Sequence, residues 1–208
     1  DVSKIDSLNK SIIGKFSYSS NRFFADYLYY KMAFLYHFTY ERDKSYATKK
    51  YFMGKPVLYQ NPAYMEFFNQ LWGKYFTEQA PTEAIGNRIN SNIIYSKSPT
   101  ELKQTLEKNP VLREPQFKEL VILKGLFDCA LRPDIYPIQT VIQTLDSLMH
   151  QTKIPEHMEI ARNIIGNAQK PIASDFAPNF TLPNINGNLD SLQNYRGKFV
   201  YLVFGRSE

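Results

Sequence analysis

PQFKELVILKGLFDCALRPDIYPIQTVIQTLDSLMHQTKIPEHMEIARNIIGNA, residues 115–168, decides the fold. Four prolines punctuate it, and three of them stand where a helix would begin and where the missing N–H costs nothing. Pro115 opens a segment with Phe117, Leu120, Val121, Phe127 and Leu131 on its expected inner side, and Pro133 closes it. After Pro137, Ile138, Val141, Ile142, Leu145, Leu148 and Met149 recur at helical spacing. Pro155 opens a third segment through Met158, Ala161, Ile164, Ile165 and Ala168. Amphipathic helices joined by short proline-bearing links predict antiparallel neighbours, so the spacing predicts a helical bundle or stacked helical hairpins.

Working outward toward the start, the same grammar repeats. Ser98-Pro99-Thr100-Glu101 has the composition of a capping box. Asn61-Pro62 is an N-cap with proline after it, opening a helix whose Tyr64, Phe67, Phe68, Leu71 and Tyr75 form one apolar face. Between them and the preceding helix lies a 52–60 loop, because Gly54 and Pro56 oppose helix continuation. A long aromatic helix is predicted from Ser19-Ser20-Asn21 to about Tyr51, with a break near Asp43–Ser45, and a short one around Ser3–Ile13 ending near Gly14. Phe23 to Tyr40 approaches membrane-spanning length, but Asp26, Lys31 and His37 interrupt it. No transmembrane segment is expected there. The stretch reads instead as a buried helix, apolar on most sides.

The 208 residues carry 25 Lys+Arg and 20 Asp+Glu, a net charge of +5. Basic residues are scattered, and Glu41 and Asp43 lie among the densest group (Arg42, Lys44, Lys49, Lys50, Lys55), so a nucleic-acid partner is not expected. Fifteen Tyr, fifteen Phe and one Trp point to an aromatic core whose tyrosine tips reach the surface. One cysteine excludes an intrachain disulfide and a Cys-x-x-C pair within these residues. Cys129, between Phe127 and Leu131, reads as a buried, inert thiol. Three histidines are too few for a convincing zinc cluster, and His150 and His157 read as surface or capping residues. Neither a metal nor a cofactor is expected. The candidate interaction loop comprises Tyr59, Asn61 and Tyr64, since loops carry function more often than cores do.

Past Pro171 the grammar changes. Pro183-Asn-Ile-Asn-Gly187 is a turn between short runs, and Phe199-Val-Tyr-Leu-Val-Phe204 is a continuous apolar run with the composition of a covered strand. The domains therefore divide as an all-helical region, 1–170, and a β-hairpin plus strand, 171–208. Ala177, Pro178, Phe180, Leu182, Gly187, Leu192, Tyr195, Arg196, Gly197, Lys198, Val200, Leu202 and Phe204 carry a specific combined pattern. With it, residues 173–205 resemble the opening of thioredoxin-like domains of the TlpA/ResA and AhpC/TSA peroxiredoxin type.

The resemblance implies an α/β domain whose attacking cysteine follows the central strand, so catalytic residues are expected after Glu208 and none within this chain. It implies a piece of a longer thiol–disulfide oxidoreductase, or a divergent relative without its cysteines. Protein thiols or a redox partner would be the parent's partners, in a periplasmic or outer-membrane-anchored setting. Upstream helical regions of TlpA-like envelope proteins offer the analogy for 1–170. The strand Phe199–Phe204, unable to cover both faces alone, is expected to pair with the hairpin, pack on the helices or self-associate. The alternative is a non-enzymatic envelope binding or scaffold protein.

Overall fold

Side chains that cap backbone N–H groups set most helix starts. In a computed structural model of the chain, which describes residues 7, 8, 10–12, 14, 15, 21–82, 85–169 and 177–203, the described part of 7–15 is helical through Gly14 and Lys15. Asn21 then caps α1 (Arg22–Tyr36), accepting from Phe24 N. A π-helical segment, His37–Glu41, follows, and the chain breaks at Arg42. Asp43 restarts it as α2 (Lys44–Tyr51), its carboxylate accepting from Ser45 and Tyr46 N. The break thus falls where it was expected, because an acceptor side chain there competes for the helical N–H groups.

Asn61 caps α3 (Pro62–Trp72) through Ala63 and Tyr64 N. Lys74, in the left-handed region at φ 58, turns the chain into a π-helical segment, Tyr75–Gln79. Next come α4 (Gly86–Ser91), a π-helical segment Asn92–Ser96, and α5 (Pro99–Leu106). Ser98 Oγ caps Glu101 N as expected, but the box is half-made: the Glu101 carboxylate turns to Ser96 Oγ at 2.8 Å. The proline-led series ends with α6 (Pro115–Ala130), α7 (Ile138–Gln151) and α8 (Pro155–Ala168). Ser19, Ser20 and part of the Ser3–Ile13 prediction lie outside the described residues.

The chain forms two compact units, Asp1–Ala168 and Gln169–Glu208. In the first, α6 is central, touching α3, α5, α7 and α8. Phe117, Leu120, Val121, Ile122, Leu123, Leu126 and Cys129 are all buried. Two residues expected inside are corrected: Phe127 and Leu131 are exposed, because burial follows Leu126 and Cys129 around the helix. Aromatic rings fill the space above α6, with Phe52 packed tilted against Phe117 at 5.5 Å and Phe68 edge-on to it at 5.7 Å. Tyr64 meets Tyr30 edge-on at 4.8 Å. Such offset and edge contacts suit the ring quadrupoles better than face-to-face stacking.

The Phe23–Tyr40 stretch also differs from expectation. Only Tyr30, Ala33 and His37 are buried, on one stripe, while Phe23, Tyr29, Leu35 and Phe38 are exposed. A helix lying on one side of a core needs a single apolar stripe, whatever the composition of its other face. Among the described residues, no helix is long and apolar enough to cross a membrane.

In the second unit, β1 (Thr181–Pro183) and β2 (Leu189–Ser191) pair antiparallel, Leu182 opposite Asp190. Asn184 closes the turn, its side chain accepting from Asn186 and Asn188 N, with Gly187 at φ 77. A second lock follows: Tyr195 Oη donates to Asp190 at 2.6 Å, before Gly197 turns the chain at φ 81. Positive φ at both glycines explains why side-chain-bearing residues are absent there. The run read as a strand is corrected in part. Among the described residues, Phe199–Val203 joins no ladder and does not pair with the hairpin, whose sheet has two strands. Its N–H and C=O groups have no sheet partner among the described residues, and without one an apolar run is not a strand. Phe204–Glu208 lie outside the described residues.

Candidate functional site

The three residues of the candidate loop have separate fates. Asn61 is a buried cap, its Oδ1 accepting from Ala63 N and Tyr64 N of α3. Tyr64 is fully buried among Tyr30, Phe52 and the rest of the aromatic core. Burial pushes its phenol well above the ordinary range. Its hydroxyl has no hydrogen-bond partner among the described residues. Tyr59 alone reaches a polar site, its Oη lying 2.7 Å from His157 Nε2.

His157 is the hinge of that site and is wholly buried. Pro155 starts α8 and so places His157 in the first turn, on the face shared with Ala161 and Ile164. On its other side, Nδ1 lies 2.8 Å from Glu119 Oε1. Since a carboxylate only accepts, Nδ1 is the donor. Glu119 Oε2 takes Lys103 Nζ of α5 at 2.6 Å, and Thr152, at the end of α7, also donates to Oε1. Gln116 Nε2 donates to Tyr59 Oη at 3.1 Å. One line of polar atoms therefore ties the 52–60 loop to α5, α6, the α7–α8 link and α8.

Burial pushes the Glu119 carboxyl up. The bonds from His157, Lys103 and Thr152 outweigh that and hold it down at about 2. It is a carboxylate at neutral pH. Burial raises the Tyr59 phenol, although the Gln116 bond opposes the change. Tyr59 is thus a protonated hydroxyl at neutral pH, not a phenolate nucleophile. A carboxylate–imidazole–hydroxyl line has the residue types of a proton relay. Here the imidazole has no exposed edge, and its far partner is a hydroxyl held protonated. The arrangement joins elements rather than activating a nucleophile.

His157 corrects the expectation of a surface or capping role, whereas His150 meets it, exposed and turned to Asp146 on its own helix. The available signal was Glu119 within the apolar run of α6, since a carboxylate on a buried helix must find partners. Cys129 is fully buried, and burial together with neighbouring Asp128 pushes its thiol up. Asp128 is itself engaged, accepting from Lys74 N at 2.7 Å and Lys124 Nζ at 2.5 Å. Among the described residues, no group of three His, Cys, Asp or Glu side chains could hold a metal ion. No family model, curated protein or solved structure matches the chain.

Proposed function

We propose that Asp1–Ala168 is the helical accessory region of a cell-envelope thiol–disulfide oxidoreductase of the TlpA/ResA type. The observation that carries this reading is the order of features in the second unit. A hairpin with Leu182 opposite Asp190, the Asp190–Tyr195 lock and the Gly197 turn lead into the apolar run Phe199–Val203. Of these residues, Leu182, Tyr195, Gly197, Val200 and Leu202 belong to the thioredoxin-like pattern. In this reading the thiol chemistry belongs to cysteines after Glu208, acting on protein thiols in the periplasm or at the outer membrane. The helical unit has no role for its own buried thiol in that chemistry.

The test is reduction of insulin disulfides by the product of the full open reading frame, with this 208-residue chain as comparison. Activity in the former and silence in the latter are expected. Turnover by this chain would overturn the reading, because Cys129 would have to act alone. A reading frame with no Cys within about ten residues of Glu208 would overturn it too. That second outcome favours an envelope binding or scaffold protein, a reading supported by the exposed Phe23 and Tyr29 on α1 and Phe38 on the π-helical segment after it.

A further inference from the structure

A groove of about 340 Å³ lies between α4 with its π-helical extension and α5, and what it could hold is independent of the oxidoreductase reading. Two hydrogen bonds set its geometry. Asn92 Nδ2 donates to Thr105 Oγ1 at 2.9 Å, and Ser96 Oγ donates to Glu101 at 2.8 Å. Four residues forward on one wall match four residues back on the other, so the walls run antiparallel. One turn before Asn92 stands Arg88, and one turn beyond Thr105 stands Lys108, both lining the groove. The two cations therefore share one end, and Glu101 occupies the other.

That end is a concentration of like charge. No ion pair among the described residues engages Arg88 or Lys108, and Glu107, next to Lys108, is taken by Lys118 at 2.5 Å. The floor is the Asn92–Thr105 pair, each residue 7 % exposed, with donor and acceptor capacity left over. Ser91 and Gln104 add further hydrogen-bonding groups along the wall. Helical rise from Glu101 to Leu106, the end of α5, is about 8 Å, and Lys108 stands in the turn two residues beyond. An extended peptide of three residues spans about the same length.

We infer that this groove binds a short zwitterionic peptide of about three residues, its carboxylate between Arg88 and Lys108 and its ammonium at Glu101. The carboxylate relieves the repulsion between the two cations, and Arg88 offers it a bidentate fork. Peptide N–H and C=O groups use the floor, which an apolar ligand would leave unmatched.

The experiment is an amide-resolved NMR titration of the whole chain with triglycine, N-acetyltriglycine and triglycinamide at constant ionic strength. Triglycine is expected to shift Ser91, Asn92 and Gln104 saturably, and loss of either terminal charge to weaken binding about tenfold. Joint Arg88→Gln and Lys108→Gln substitution, at two exposed positions, is expected to weaken triglycine about tenfold with an unchanged Tm. Glu101→Gln is expected to abolish the preference for a free amino end. An equal response to all three probes, no saturable shift, or binding indifferent to the double substitution would overturn the assignment.

Discussion

His157 Nδ1 stands 2.8 Å from Glu119 Oε1, with the imidazole wholly out of water. This contact joins the first turn of α8 to the middle of α6, the helix around which the unit is packed. With Lys103 and Thr152 on the same carboxylate, Glu119 concentrates the polar interactions of an otherwise apolar and aromatic interior.

Replacing Glu119 should therefore cost far more than an average surface change. Glu119→Ala strands Lys103, His157 and Thr152 and is expected to lose about 3–5 kcal/mol. Glu119→Gln keeps the shape and some bonds and should lose about 2 kcal/mol. Urea denaturation of both variants measures this, and a loss below that of an exposed Glu156→Gln control would refute the network's weight.

The same carboxylate sets a pH dependence. Its folded value, about 2, lies below its ordinary 4.5, so its contribution is fully present above about 4.5. As pH falls from there toward 2, the unfolded state takes up a proton that the folded carboxylate does not, and stability is lost. The expected loss is on the order of 3 kcal/mol across that window. Denaturation midpoints measured from pH 6 to pH 2 should fall less steeply in Glu119→Gln than in the parent.

Tyr59 and Tyr64 separate a working hydroxyl from an idle one. Tyr59→Phe removes the partner of His157 and Gln116 and should cost about 1 kcal/mol. It should also speed amide exchange in the 52–60 loop. Tyr64→Phe deletes a buried hydroxyl with no partner among the described residues, and is expected to be neutral or stabilising. Equal costs for the two would contradict the assignment.

Gly125 leaves room for a ring. A Cβ there would stand 2.4 Å from Phe76 Cδ2, inside the contact distance of any carbon pair. Gly125→Ala should destabilise by about 1–3 kcal/mol despite alanine's better helix propensity. Thermal unfolding checks the sign, and partial recovery on adding Phe76→Leu would identify the clash as its source.

Cys129 is expected to resist a thiol reagent in the native chain and to react stoichiometrically in denaturant. Its full burial blocks access, and its raised thiol holds back the reactive thiolate. Absorbance after addition of an aromatic disulfide reagent measures both states. Rapid native labelling would show an opening around α6 that its packing does not predict.

Local chemistry made much of this fold legible. Asn21, Asp43, Asn61 and Ser98 act on backbone N–H groups two or three residues away, so their roles are written in adjacent positions. The proline-led starts of α3, α5, α6 and α8, the Asn184–Gly187 turn and the apolar stripe of α7 belong to the same class.

Contacts between distant segments followed another rule. Tyr59 and His157 are 98 residues apart, and Glu119 meets His157 across 38. Nothing in the spacing of three polar residues says that they converge, because convergence depends on how α6 and α8 pack. Phe127 turned outward and Leu126 inward for the same reason: a central helix is covered on several sides, and its neighbours choose the uncovered one. Asn92 and Thr105 likewise form a groove floor only once their two segments lie antiparallel. The sequence by itself determined where helices begin, where the chain turns and which residues are apolar, since those depend on groups a few bonds apart. Tertiary structure alone decided which buried charges meet and which aromatic rings face water, since burial and dielectric are properties of the packed whole.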